Sequence, residues 1–136
     1  MELSTVEKNN SNTKRILLFD LDRAQGSELE RVLTSQNLVV HSERSLPLTQ
    51  CLRLVEEYRA DLIFCPAQRA HYKKLLDALG ERRPGLPVIV VSPYPEVAEW
   101  LDAIEAGASD YCTPPFDAAQ IAWILETALK SRSVAA

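Results

Sequence analysis

A few side chains that could bind a cation or a phosphoryl group stand where predicted strands end. Asp20 and Asp22 follow the first apolar run, and alternate residues of a strand share a face, so the two carboxylates are candidates for a cation site. Ser92 follows the fourth run and offers a hydroxyl. A metal needs more oxygen ligands than one carboxylate pair supplies. We therefore favour the alternative in which Asp20 is solvated, Asp22 caps the next helix and no metal is bound.

The three cysteines are the other reactive side chains. Cys51, Cys65 and Cys112 lie in apolar runs, are odd in number and lack the spacing of a metal site. This pattern is typical of buried thiols in a reducing compartment. The polar residues 1–13 also lack the apolar stretch of a secretory signal. We therefore expect a cytoplasmic protein.

The composition excludes several classes of partner. The chain has 136 residues, 46% of them hydrophobic and 25% charged, which is typical of one soluble globular domain. Its net charge of −4 argues against binding nucleic acid. Its longest apolar runs fall well short of the roughly 20 residues of a membrane span. Nucleic acid and membrane are therefore not expected as partners.

Short apolar runs alternate with amphipathic helical stripes along the sequence, which predicts an α/β fold. The predicted strands are 15–19, 38–41, 61–65, 87–91 and 110–112. Right-handed crossovers then favour a five-stranded parallel sheet of flavodoxin-like order 2-1-3-4-5, with five helices on both faces. In the fourth helix, the apolar stripe of Val97, Leu101 and Ile104 is predicted to face the core.

The same pattern gives the expected domain boundaries. Residues 14–130 form one folded domain, residues 1–13 a disordered leader and residues 131–136 a tail. Whether the domain acts alone or belongs to a longer regulator stays open.

Three segments resemble the receiver domain of two-component response regulators. Asp110-Tyr-Cys-Thr-Pro-Pro-Phe116 is similar to the family's D-Y-x-x-K-P-F tail. Lys14–Asp20 and Leu86–Ser92 are similar to its first and fourth strands. The resemblance covers roughly residues 14–130 and implies a CheY-like fold and a role in signal transduction or a phosphorelay.

The chain departs from the family at the positions that carry its chemistry. The family supplies two adjacent acids for Mg²⁺, an acceptor aspartate, a hydroxyl switch and a lysine that pairs with the phosphate. The residues at or beside those positions form a vestigial phosphorylation pocket: Asp20, Leu21, Asp22, Pro66, Ser92 and Pro114. Proline has neither a nucleophile nor a charge.

The resemblance therefore implies a pseudo-receiver that signals without phosphorylation, is not an enzyme and needs no cofactor. Two alternatives stay open: a phosphoryl-accepting receiver that uses Asp20 or Asp22, and a small-ligand-binding α/β domain. As in the family's K-P turn, we also predict a cis peptide bond between Pro114 and Pro115.

Aromatic residues near the end of the chain suggest a protein-binding surface. Counted at 100° per residue, Trp123 faces away from the core stripe of the last helix, while Ile124 and Trp100 lie at the edges of their stripes. We take these three and Tyr111 as candidate partner-binding residues. In the family, the face of the fourth helix, fifth strand and fifth helix is the usual dimerisation surface. The resemblance thus implies a signalling protein or a second copy as partner, with a homodimer through that face.

Overall fold

The computed structural model describes residues 13–44 and 46–135, apart from the side chains of 69–71 and 131–135. Of the predicted leader, residues 1–12 lie outside this description. Strands and helices alternate along the chain: β1 Arg15–Phe19, α1 Arg23–Thr34, β2 Val39–Glu43, α2 Leu48–Tyr58, β3 Leu62–Pro66, α3 Arg69–Arg82, β4 Val88–Val91, α4 Val97–Glu105, β5 Asp110–Cys112 and α5 Ala118–Ala135. The helix α5 thus runs on through residues predicted to form a tail.

The five strands form one parallel sheet in the order β2-β1-β3-β4-β5. In register, Leu17 of β1 stands beside His41 of β2 and Ile63 of β3. On the other side, Val90 of β4 stands beside Tyr111 of β5. The predicted flavodoxin-like order is confirmed, and it leaves β2 and β5 as the two edges of the sheet.

Both faces of the sheet are covered, because alternate residues of the apolar strands point to opposite sides. On one face, Ile16, Leu18, Phe64 and Ile89 pack with buried residues of α1 and α5. On the other face, the core contains strand residues such as Leu17, Ile63 and Val90 together with buried residues of α2, α3 and α4. The domain therefore has two hydrophobic cores that share one central sheet.

Polar caps and left-handed residues set the helix ends. The Asp22 carboxylate accepts a hydrogen bond from the Gln25 amide at 2.7 Å, and that of Asp117 accepts one from the Gln120 amide at 3.1 Å. Gly107, with φ of 115°, takes the turn just after the end of α4. The helix α3 continues past Gly80 to Arg82, and Gly85 with φ of 89° takes the turn before β4.

The helix α4 has the opposite orientation from the predicted one. Val97 is 68% exposed and Leu101 50% exposed, and Ile104 is also exposed. Ala103 is the buried residue of this helix. The apolar stripe that was predicted to face the core therefore faces solvent.

Candidate functional site

The carboxyl ends of parallel strands meet at one edge of the sheet, where doubly wound folds usually bind ligands. At this rim Asp20 follows β1 with a positive φ of 58°, a conformation that aspartate tolerates better than most residues. Its amide donates a hydrogen bond to the Glu43 carbonyl at 2.7 Å, which fixes the turn. The Asp22 carboxylate is engaged as the cap of α1, whereas Asp20 makes its turn contact through its backbone amide.

Leu21 occupies the position between these acids, and it belongs to the core. Its side chain is 2% exposed and lies in the same cluster as Leu29 of α1. A carboxylate at this position would be buried among apolar groups, at a cost of several kcal/mol in typical cases. The rim therefore has a buried apolar side chain between its two acids.

Two prolines and an alanine line the next part of the rim. Pro66 ends β3 and pairs with Val91, and the Ala67 amide continues the ladder with a 2.9 Å bond to the Val91 carbonyl. Pro114 follows β5, and the peptide bond between Pro114 and Pro115 is cis, as predicted. Neither proline offers a nucleophile or a positive charge.

Glu28 also contributes to the rim, and the sequence did not predict this role. Its carboxylate, on α1, accepts a hydrogen bond from the Phe116 amide at 2.8 Å. This bond ties the loop after β5 to α1. Nothing in the local pattern around Glu28 predicts the contact, because its partner is 88 residues away in sequence.

The Ser92 hydroxyl is 3% exposed and is satisfied locally. It donates to the Tyr94 carbonyl at 2.9 Å and accepts from the Tyr94 amide at 3.3 Å. This small ring of bonds closes the turn before α4. Ser92 therefore acts as a turn residue in the structure.

The three thiols are free and buried. Burial, with a smaller contribution from Asp20, raises the pKa of Cys51 to about 12, and burial beside Asp110 raises the pKa of Cys112 to about 12. Burial also raises the pKa of Cys65. The neutral thiols are weak nucleophiles at physiological pH. Within the described residues, no three Cys, His, Asp or Glu side chains come together as metal ligands would.

The second candidate site is the exposed apolar surface of α4. Its four residues recur at the spacing of one helical face, and we call them the α4 stripe: Val97, Trp100, Leu101 and Ile104. Single exposed apolar residues are common, but a continuous stripe of four on a surface helix is typical of a binding surface.

Tyrosine hydroxyls hold the opposite face of α4. The Tyr111 hydroxyl, on β5, donates to the Glu99 carboxylate at 2.5 Å and lies 3.1 Å from the Tyr94 carbonyl. The hydroxyl of the buried Tyr72, on α3, donates to the Asp102 carboxylate. Burial and the bond to Glu99 raise the pKa of Tyr111 to about 12, so this donor keeps its proton at neutral pH. The polar face of α4 is therefore the attached face.

A groove of about 350 Å³ runs beside the α4 stripe. Trp100 and Tyr111 line it together with the acids Glu96 and Asp110, and Gln120 contributes from α5. Trp123 lies one helical turn beyond Gln120 and is 63% exposed, which confirms its predicted outward orientation. The stripe, the groove and Trp123 form what we call the α4–β5–α5 face.

One candidate residue does not belong to this face. Ile124 is 3% exposed and packs in the core beneath α5. The helix buries a wider stripe than the one centred on Ile121, Leu125 and Ala128. The expectation that Ile124 contacts a partner was therefore wrong, whereas Trp100, Tyr111 and Trp123 do lie on one side of the fold.

Solved structures similar to this chain include receiver domains. The chain is similar to the signal receiver domain of an HD domain-containing protein from Pseudomonas fluorescens Pf-5, with a TM-score of 0.73 and 23% identity over 90% of this chain and 98% of that one. It is also similar to a response regulator receiver domain protein from Clostridium thermocellum, with a TM-score of 0.75 and 17% identity over 90% and 99% of the two chains.

A third similar structure is the beryllofluoride-activated NtrC4 receiver domain dimer, with a TM-score of 0.75 and 20% identity over 88% of this chain and 99% of that one. The chain therefore has the CheY-like fold that its sequence predicted. No family model and no curated protein sequence matches it. In the described part of the chain, no helix is long and apolar enough to cross a membrane.

Proposed function

We propose that this chain is a receiver-like signalling module that acts without phosphorylation, by binding a protein partner or a second copy of itself. The observation that carries the proposal is the rim of the sheet. Leu21 fills the core there, and prolines occupy positions 66 and 114. A receiver with this rim has no acceptor at the end of β3 and no lysine at position 114 to balance a phosphate.

The remaining acids at the rim support the same proposal. The Asp22 carboxylate is hydrogen-bonded as the cap of α1, and Asp20 lies in the turn after β1 that its amide fixes. A Mg²⁺ ion commonly needs carboxylates in octahedral geometry beside the phosphate. With the metal-binding acid replaced by Leu21, phosphoryl transfer to Asp20 or Asp22 lacks charge neutralisation. The proposal therefore includes no enzymatic activity and no cofactor.

The α4–β5–α5 face is the binding surface in this proposal. Exposed Trp100 and Trp123 are of the residue type most enriched among interface hot spots. The similar NtrC4 receiver domain is a dimer, which makes self-association one form of the proposal. The buried free thiols agree with a cytoplasmic location, where cysteines stay reduced.

The decisive test is exposure to a small phosphodonor. The purified chain is incubated with acetyl phosphate and Mg²⁺, and its intact mass is measured beside a receiver domain with the usual acceptor aspartate. We expect the control to gain one phosphoryl group and this chain to gain none. A stoichiometric gain that disappears in Asp20→Asn or Asp22→Asn would contradict the proposal and establish the phosphoryl-accepting alternative.

A further inference from the structure

The charge around the α4–β5–α5 face is mainly acidic, and the first basic residue on α5 is Lys130, two turns beyond Trp123. All charged residues from 84 to 129 are acidic, and the rest of the chain carries all of its lysine and arginine. On the face itself, Glu96 and Glu105 are exposed at the two ends of α4, and Asp110 is half-buried on β5. The net charge of −4 does not reveal this division, because it sums these acids with the basic residues outside 84–129.

The groove joins acidic and aromatic groups at one end of the α4 stripe. The carboxylates of Glu96 and Asp110 and the rings of Trp100 and Tyr111 line the same space. Tryptophan and tyrosine rings attract a cation over their faces, and a nearby carboxylate adds a direct pairing partner. This combination suits the end of a lysine or arginine side chain better than it suits an anion or a neutral group.

A second copy of this chain fits the face poorly. In a two-fold dimer the same patch meets itself, so the acids of one α4 would approach those of its partner. Like charges across an interface oppose association. A partner that has apolar residues flanked by basic ones would instead match both the α4 stripe and the acids that flank it.

We infer that the α4–β5–α5 face binds a basic amphipathic helix of a partner protein. This inference rests on the proposed function and adds the chemistry of the partner. The apolar side of the partner helix covers Leu101 and Ile104, and one of its lysine or arginine side chains enters the groove beside Trp100. The spacing of the α4 stripe matches that of a facing helix.

Three labelled peptides test the inference against the full chain by fluorescence anisotropy. The first is an amphipathic helix of about 18 residues, or five turns, with leucine on one face and lysine on the other. The second replaces every lysine with glutamate, and the third replaces every leucine with glutamine. We expect binding of the first peptide alone, and we expect it to weaken as the salt concentration rises.

Matched variants locate the binding. Ile104 and Val39 are both 38% exposed, but Val39 lies on β2 at the opposite edge of the sheet. We expect Ile104→Gln to weaken binding of the lysine peptide by about tenfold and Val39→Gln to leave it unchanged. Likewise, Glu105→Gln should reduce the salt dependence of lysine-peptide binding. Glu30→Gln, at an exposed position of α1, should leave that salt dependence unchanged.

Several results would overturn the inference. These are equal or tighter binding of the glutamate peptide, no binding of the lysine peptide, or equal effects of Ile104→Gln and Val39→Gln. A dimer in light scattering that Ile104→Gln dissolves would make a second copy the occupant. In each of these cases the phosphodonor experiment still decides the proposed function by itself, because it reports on the rim and not on the α4–β5–α5 face.

Discussion

Trp123 and Ile124 are neighbours in sequence with opposite environments, which makes them a matched pair for substitution. Trp123→Ala removes an exposed ring, so the free energy of unfolding should change by no more than about 0.5 kcal/mol. Ile124→Ala opens a cavity in the core beneath α5 and should cost about 2–5 kcal/mol. Urea denaturation of both variants measures the difference. A large loss for Trp123→Ala would show that its ring packs on the fold.

At the residue scale the sequence predicted types of role better than it predicted contacts. Asp22 was expected to cap a helix and does so, and Trp123 was expected to face water. Ile124 was misplaced because 100° spacing gives the centre of a buried stripe but not its width. The contact between Glu28 and Phe116 depends on tertiary structure alone.

The attachment of α4 through tyrosine hydroxyls gives a prediction at the scale of one element. Tyr111→Phe removes the hydrogen bond to Glu99 and should destabilise the local packing of α4 by about 0.5–1.5 kcal/mol. Amide hydrogen exchange should then speed up in residues 97–105 and stay unchanged in β1 and β3. Tyr94→Phe is the control, because the Tyr94 ring is exposed. Unaltered exchange in α4, or an increase spread over the whole sheet, would contradict this role of Tyr111.

For helix α4, the spacing of apolar residues predicted the wrong buried face. Its apolar residues recur at helical spacing, and on a surface helix such a stripe normally faces the core. Its opposite face has Glu99, Asp102 and Ala103, and the Tyr111 and Tyr72 hydroxyls satisfy the two carboxylates. The sequence places these tyrosines on other elements, so their contacts with α4 could not be predicted before the fold was known.

At the scale of the whole molecule, buried neutral thiols make the fold sensitive to alkali. Burial raises the pKa of Cys51 and Cys112 from 9.0 to about 12 and also raises that of Cys65. A group with a raised folded-state pKa contributes stability that is complete below its unfolded pKa. That contribution is lost as the pH rises through the folded value. Stability should therefore fall between about pH 9 and 12.

Denaturation at a series of pH values measures this loss. Tyr111 contributes in the same direction, since its pKa is also raised to about 12. Cys112→Ala should reduce the slope of stability against pH above pH 9, even if it lowers stability at neutral pH. An unchanged slope in this variant would show that the Cys112 thiol is not the titrating group.

The architecture as a whole followed from the sequence, because alternating apolar runs and helical stripes allow few parallel arrangements. The strand order and the short β5 of Asp110–Cys112 agree with that expectation. The charge division between the two parts of the chain can be read from the sequence, but it was missed because the net charge sums over the whole chain.

The attachment of α4 by its polar side has a consequence for how this protein can change. Residues that hold the helix, such as Glu99 and Asp102, differ from those that it offers to solvent, such as Val97 and Leu101. Substitutions in the second group should change the exposed surface of α4 without loosening the fold. Under the proposed function, partner choice can therefore diverge between related chains, or be redesigned, without the usual loss of stability that accompanies altered function.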